Sequence, residues 1–144
     1  MANLKQNSVD GICCIRYASS SIKCCALGAS VGGGCLLHKS GGMAIIVAPV
    51  STVVVRSWYA REDAVTVAKN TSPYCQDWYI PDIAELVTYT SPLCTQYYDT
   101  CTNNIWSSTD TGICGWLSTA LTSCCLAVTK TSLCNVRAFR RVLY

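Results

Sequence analysis

Short apolar runs, separated by glycine-rich and hydroxyl-rich turns, dominate the sequence and predict β-strands. Residues 43–48 are continuously apolar, and residues 35–38 and 52–55 form shorter strand-like runs. Apolar runs of this length bounded by turn residues are typical of buried strands. The Lys-Ser-Gly-Gly sequence at residues 39–42 predicts a β-hairpin between the first two of these runs.

The last third of the chain repeats this pattern. Strands are predicted over residues 104–108, 115–118, 124–129 and 136–143, with turn residues between them. The chain therefore ends in a region composed mainly of antiparallel strands.

Two central segments predict helices instead. Residues 58–69 carry apolar side chains at helical spacing, and Ser57 is placed to cap the N-terminus. The predicted apolar face consists of Ala60, Ala64, Val67 and Ala68. A second helix is predicted to begin at Pro81-Asp82, where Asp82 and Glu85 have the spacing of a capping box. Helices and strands together predict an α+β domain.

The first 31 residues differ from the rest and form a predicted separate unit. Residues 12–15 and 22–25 are similar short apolar runs around a serine-rich turn, which predicts a β-hairpin. Because an isolated hairpin is only marginally stable in water, it must pack on its own domain or on another subunit. Residues 1–31 are thus a candidate attachment arm, and an ordinary extra β-layer is the equally consistent alternative. The domain proper is predicted over residues 32–144.

Composition narrows the class of protein. Of the 144 residues, 51% are apolar and 13% charged, with a net charge of +3, which excludes a disordered chain and disfavours a nucleic-acid partner. No export signal is evident in the first ten residues, and no uncharged stretch is apolar enough to predict a membrane span.

Twelve cysteines accompany a single histidine, His38. No Cys-x-x-Cys spacing occurs, so a metal site is disfavoured and no cofactor is predicted. Reduced, buried thiols are the favoured interpretation, and disulfides formed in an oxidising medium remain the alternative.

A segment rich in tyrosine and short polar residues, residues 94–104, has the composition of a recognition loop. A solvent-exposed loop pinned by Cys94 and Cys101 is the slightly favoured interpretation, and a recognition loop is kept beside it. The candidate ligand-binding residues are Tyr97, Tyr98, Asn103, Asn104 and Trp116.

The last predicted strand carries Arg137, Arg140 and Arg141. Three arginines suit either an anionic ligand or salt bridges to the few carboxylates. Salt bridges are favoured because a half-buried guanidinium needs a partner. The candidate acceptors are Asp77, Asp82 and Glu85.

Several sequence blocks occur in an order that resembles the C-terminal domain family of the Lcl collagen-like adhesin. They are Gly32-Gly33-Gly34, Gly41-Gly42, Trp58, the 77–81 block Asp-Trp-Tyr-Ile-Pro with Glu85-Leu86, the 105–109 block Ile-Trp-Ser-Ser-Thr, and the 136–141 block Val-Arg-Ala-Phe-Arg-Arg. The resemblance covers residues 32–144 and departs from the family at Asp82 and Ile105. Residues 1–31 do not share it.

The resemblance implies a C-type-lectin-like domain, often trimeric. It also implies that the sequence blocks quoted above are structural, and it carries over no catalytic residue. The implied structural residues are Trp58, Asp77, Trp78, Pro81, Glu85, Trp106, Ser107, Ser108, Arg137 and Arg140. Trp78 and Trp106 are expected to fill the core with their indole N–H groups hydrogen-bonded.

Members of the family are bacterial surface proteins and phage virion proteins. The resemblance, the candidate arm and the absence of an evident signal lead to the expectation of a non-enzymatic phage virion protein, such as a head decoration, neck fibre or tail-fibre tip. Its expected partners are other copies of itself, virion proteins bound through residues 1–31, and host-cell glycan. The alternative is a free carbohydrate-binding adhesion domain with no virion role.

Overall fold

A computed structural model describes residues 27–90, 104–119 and 124–144, with the side chains of residues 90, 119, 124 and 125 left out. The predicted hairpin of residues 12–25 and most of the predicted recognition loop lie outside the described residues.

The first sheet has four antiparallel strands in the order β1-β2-β3-β9. The strands are β1 (Ser30–Val31), β2 (Gly34–Ser40), β3 (Met43–Val47) and β9 (Phe139–Leu143). The predicted hairpin is confirmed, because β2 and β3 are joined by Gly41 and Gly42, both with positive φ.

The second sheet has five strands in the order β4-β8-β5-β6-β7. They are β4 (Val54–Arg56), β5 (Asn104–Asp110), β6 (Cys114–Thr119), β7 (Cys124–Thr129) and β8 (Cys134–Val136). Only the β5–β8 pair is parallel.

The predicted single strand over residues 136–143 is wrong in one respect, because the chain changes sheets within it. β8 ends at Val136 in the five-stranded sheet, and β9 begins at Phe139 in the other. Between them, Arg137 donates from Nε to the Ala48 carbonyl at 2.6 Å, and the Ala48 amide donates to the Ala138 carbonyl at 2.9 Å. These bonds hold the crossover and interrupt the strand.

Two α-helices are described, α1 (Asp63–Thr71) and α2 (Ile83–Thr90). The capping box of α2 is confirmed: the Glu85 amide donates to Asp82 Oδ1 at 2.8 Å, and the Asp82 amide donates to Glu85 Oε1 at 3.3 Å. A reciprocal cap of this kind fixes where the helix begins.

The start of the first predicted helix is wrong. Residues Trp58–Ala60 form a separate 3-10 turn, and Ser57 makes no side-chain capping bond. The Trp58 amide instead donates to the Lys130 carbonyl at 2.9 Å, a contact that no local pattern encodes. Similarly, the predicted strand at residues 52–55 is a 3-10 turn over Val50–Thr52 followed by β4.

The core lies between the two sheets and beneath the helices. One buried cluster contains Trp106, Leu36, Ile46 and Val136, and a second contains Ile45, Leu86 and Phe139. The described chain is therefore a mixed α+β structure, mostly β, with two curled sheets. Neither described helix is long and apolar enough to cross a bilayer.

The two core indoles differ in their hydrogen bonding. Trp106 is fully buried and donates from Nε1 to the Arg56 carbonyl at 2.9 Å, as expected. Trp78 is also buried, but its Nε1 has no hydrogen-bond partner in the described structure, so the expectation is wrong for Trp78. Its ring fits an apolar cluster where the packing brings no acceptor to the N–H.

The cysteines also differ among themselves. Cys35, Cys114 and Cys134 are free, and burial raises the pKa of the Cys134 thiol. Cys75 is disulfide-bonded, so the favoured interpretation of reduced thiols is wrong at this position, and its partner is none of those three.

Candidate functional site

The structure separates the predicted ligand-binding residues that it describes. Tyr97, Tyr98 and Asn103 lie outside the described residues. Asn104 is exposed at the start of β5, and Trp116 is half-buried on β6. Trp106 pairs with Leu117, so Asn104 shares their face while Trp116 points to the opposite face. Asn104 and Trp116 therefore lie on opposite faces of the sheet and do not form one site on either face.

The closing region, comprising Asp77, Tyr79, Glu85, Arg140 and Arg141, joins β9 to the segment before α2. Arg140 is buried, and its Nε donates to Asp77 Oδ1 at 2.5 Å. Arg141 pairs with Glu85, whose Oε2 also accepts a 2.7 Å bond from the Tyr79 hydroxyl. The predicted salt bridges are thus confirmed for Arg140 and Arg141, whereas Asp82 acts as a helix cap.

Other residues of the implied structural set also support the framework. Arg140 Nη1 donates to the Gly32 carbonyl at 3.0 Å, which ties β9 to the turn before β2. Ser107 is fully buried and donates to the Trp116 carbonyl at 2.7 Å. Pro81 is buried, and its carbonyl accepts the Ser108 amide at 2.9 Å.

Burial raises the pKa of Tyr79, and the hydrogen bond to Glu85 raises it further. A phenol that donates to a carboxylate in a partly dry site resists ionisation, because the phenolate would be both desolvated and repelled. The closing region therefore holds the Tyr79 phenol neutral.

A second polar group, the Trp58 cluster, lies beside the β5–β6 turn and consists of Trp58, Tyr59, Arg61, Asp110 and Lys130. Lys130 is buried, and its Nζ lies 2.6 Å from Asp110 Oδ2, 3.1 Å from the Gly112 carbonyl and 4.1 Å from the Trp58 ring centre. The Lys130 hydrogen bond is the main cause that lowers the pKa of Asp110. This clamp fixes the turn.

Arg61 occupies a different position in the Trp58 cluster. Its guanidinium carbon lies 3.6 Å from the Trp58 ring centre, and Nη1 donates to the Trp58 carbonyl at 2.9 Å. Its Nε is buried and has no hydrogen-bond partner in the described structure. The four ion pairs among described residues do not include Arg61.

Tyr59 extends the Trp58 cluster to the surface. It is 67% exposed, and its ring centre lies 6.1 Å from that of Trp58 in an edge-to-face arrangement. Beneath them, Gly115 leaves room for both indoles, because a Cβ there would lie 2.5 Å from Trp58 Cδ1 and 2.9 Å from Trp106 Cζ3. The arrangement presents an exposed aromatic ring beside a stacked cation.

Sequence reasoning identified Trp58 only as a structural residue and missed the other four members of the Trp58 cluster. Residues 58 and 130 are far apart in the chain, and neither segment contains a short motif. The local signal available was an aromatic residue and a cation two positions apart, Tyr59 and Arg61.

No protein-family model matches the chain, and no curated protein sequence matches it significantly. Among residues 27–90, 104–119 and 124–144, no three His, Cys, Asp or Glu side chains are grouped to hold a metal ion. The residues of the Trp58 cluster are suited to noncovalent recognition of an anion beside an apolar surface.

Proposed function

We propose that this chain is a non-enzymatic structural protein of a phage virion, located in the particle as a head decoration, neck fibre or tail-fibre tip. In this proposal residues 32–144 form a displayed C-type-lectin-like domain related to the Lcl C-terminal family. Residues 1–31 serve as the arm that attaches it to other virion proteins, and the assembled form is a homotrimer.

The observation that carries the proposal is the use of the described cations as long-range cross-links. Arg140 joins β9 to Asp77 and Gly32, and Lys130 joins Asp110 and Gly112 to the Trp58 ring. Cations that are held by such cross-links stabilise the fold, which favours a rigid scaffold over a reaction centre. The order of the sequence blocks supports the lectin-like assignment in addition.

The test is to purify particles released by lysis of cells that express the chain and to quantify its peptides by mass spectrometry. We expect a fixed copy number relative to the major capsid protein that survives a high-salt wash. An abundant host cytosolic protein is the control for carry-over. A chain found only in the soluble fraction, at the level of that control, contradicts the proposal.

The second candidate is a free carbohydrate-binding domain, favoured by the exposed Tyr59 ring in the Trp58 cluster. Glycan-array binding of the purified chain is then expected to fall on replacing Tyr97 and Tyr98, or Tyr59, by alanine. The Tyr74→Ala variant is the control, because Tyr74 is 65% exposed elsewhere on the surface. Binding that none of these changes alters argues against both locations.

A further inference from the structure

Arg61 forms no ion pair with the carboxylates of the described residues. The chain contains eight acidic residues, of which two, Asp10 and Asp99, lie outside the described residues. Of the remaining six, four form ion pairs and Asp82 caps α2. The sixth, Glu62, is exposed and makes no ion pair with Arg61.

Arg61 is nevertheless held in a fixed orientation. Stacking on Trp58 and the bond from Nη1 to the Trp58 carbonyl define the plane of its guanidinium. Its Nη2 makes no hydrogen bond to a described residue, and Nε is its only buried unpaired nitrogen. An oriented fork with an open nitrogen is suited to a carboxylate, and little side-chain entropy is then lost on binding.

Apolar surface lies beside this charge. Tyr59 is 67% exposed, with its ring centre 5.9 Å from Lys130 Nζ. Ile113, 83% exposed, follows Gly112, whose carbonyl binds the same Nζ. Two cations and one carboxylate give the Trp58 cluster a net charge of +1. The complementary partner is a carboxylate with aliphatic neighbours on a protein segment.

We propose that the Trp58 cluster is the docking surface for residues 9–12 of a second copy of this chain, with Asp10 binding Arg61. This segment reads Val-Asp-Gly-Ile, so in the sequence Asp10 follows an aliphatic residue and precedes Gly11 and Ile12, whereas Asp99 is flanked by Tyr98 and Thr100. The proposal rests on the arm role of residues 1–31 under the proposed function and adds a neighbouring copy of the chain to the partners of the arm.

The length of chain before the described structure permits this exchange. Asp10 precedes Leu27, the first described residue, by 17 positions. At about 3.3 Å per residue, an extended segment of this length spans on the order of 50 Å, which is enough to reach a neighbouring domain. The exchange therefore requires residues 12–25 to leave the predicted hairpin, which on its own is only marginally stable. An arm-to-body contact between identical chains is heterologous, and such contacts form a closed ring when the rotation between copies closes, as the proposed trimer requires.

The experiment is a charge exchange on the full-length protein, followed by sedimentation velocity over a concentration series. Asp10→Arg and Arg61→Glu are each expected to weaken self-association about tenfold or more, because a charge-assisted pair becomes a repulsive one. The double variant is expected to restore association to within about threefold of the original, because the pair is re-formed in reverse. Lys69→Glu is the matched charge control and is expected to leave association unchanged.

A second measurement remains valid where an exchange variant does not fold. Fluorescence anisotropy of a labelled peptide of residues 5–12 is measured on the full-length Asp10→Asn variant, whose own arm lacks the carboxylate. Asp10→Asn in the peptide, or Tyr59→Ala in the protein, is expected to weaken binding about tenfold, and the Tyr74→Ala control is not. An oligoglucuronate probe is included as the carbohydrate arm.

Three results overturn the proposal. They are single exchanges that leave self-association unaltered, a double exchange that fails to restore it, and an oligoglucuronate that binds at Arg61 while the peptide does not. Particle composition, the test of the proposed function, is independent of all three. A chain present in virions whose self-association is the same in the variants and the wild type therefore refutes the docking surface and leaves the virion role standing.

Discussion

The closing region and the Trp58 cluster use the same residue types to different ends. In the closing region, Arg140 is buried and its guanidinium binds both Asp77 and Gly32, while Arg141 is paired with Glu85. In the Trp58 cluster, Lys130 forms an ion pair with Asp110, whereas Arg61 stacks on an indole and acts on Asp110 only through its charge. The polar groups of the closing region bind one another and hold the fold together, whereas the Trp58 cluster keeps a cation beside exposed apolar side chains.

The difference shows why counting charges is a poor guide to function. A guanidinium with a buried carboxylate or carbonyl partner has its hydrogen bonds satisfied and stabilises the fold. A guanidinium that is oriented by an aromatic ring has bonds left to make. We therefore expect changes in the closing region to act on stability, and changes at the surface of the Trp58 cluster to act on association.

The largest stability effect is expected for Arg140→Met. The substitution removes the bonds to Asp77 and to the Gly32 carbonyl while keeping much of the side-chain volume. We expect the free energy of unfolding to fall by about 3 kcal/mol, because a buried carbonyl loses a charged donor. Urea denaturation followed by tryptophan fluorescence measures the loss. An equal loss of unfolding free energy in the Arg61→Met variant would contradict the difference between the closing region and the Trp58 cluster.

A smaller loss is expected for Gly115→Ala in the Trp58 cluster. The added Cβ would clash with Trp58 and Trp106, whose atoms lie 2.5 and 2.9 Å from its position. Overpacking of this kind costs about 2 kcal/mol. Thermal unfolding measures it, with Gly41→Ala as the reference for backbone strain alone, because φ there is positive and no atom lies within 4 Å of a Cβ. Gly115 does not have a positive φ, so a Gly115→Ala variant as stable as the original protein would contradict the close contact with the indoles.

An effect of about 1 kcal/mol is expected for Tyr79→Phe, which removes the hydrogen bond to Glu85. The folded protein holds the pKa of Tyr79 above its ordinary value of 10.0. The unfolded chain therefore loses this proton first as the pH rises, and stability falls above pH 10. Denaturation between pH 8 and 11 is expected to show a shallower decline in the variant. Identical slopes would indicate that Tyr79 ionises normally.

The smallest effect is expected for Asp110→Asn. Lys130 lowers the pKa of Asp110 below its ordinary value of 3.8, so the contribution of the carboxylate is present above that pH. It is lost as the pH falls through the lowered value in the folded protein. We expect the acid limb of the stability curve to flatten slightly in the variant. An NMR titration that places the Asp110 midpoint at or above 3.8 contradicts the clamp.

Much of the fold was open to prediction because its signals are local. The β2–β3 hairpin follows from an apolar run and a glycine turn, and the capping box at Asp82 and Glu85 from spacing alone. Where distant segments compete with local preference, prediction failed. The Lys130 carbonyl binds the amide of Trp58 and accompanies a 3-10 turn, where periodicity predicted a continuous helix from residue 58.

The candidate site was less predictable than the fold for the same reason. Trp58 and Trp106 stood out as large aromatics, but the sequence does not show that Gly115 lies against both of them. The sequence predicted that Arg140 and Arg141 form salt bridges, because half-buried guanidinium groups need partners, but it did not predict which acid each would bind. The spacing of Arg61, Asp110 and Lys130 in the sequence does not relate them. Asp110 ends β5 and Lys130 follows β7, and the two strands are brought together only by the sheet, with β6 between them.

The sequence by itself determined the class of structure, the positions of most strands, the N-terminus of the second helix and the need of its arginines for acids. These follow from short-range periodicity, turn chemistry and the cost of burying charge. Tertiary structure alone decided which arginine received which acid, where the last strand changed sheets and why Arg61 forms no ion pair with a described carboxylate. Those outcomes depend on contacts between residues far apart in the chain, which form only when both sheets pack over one core.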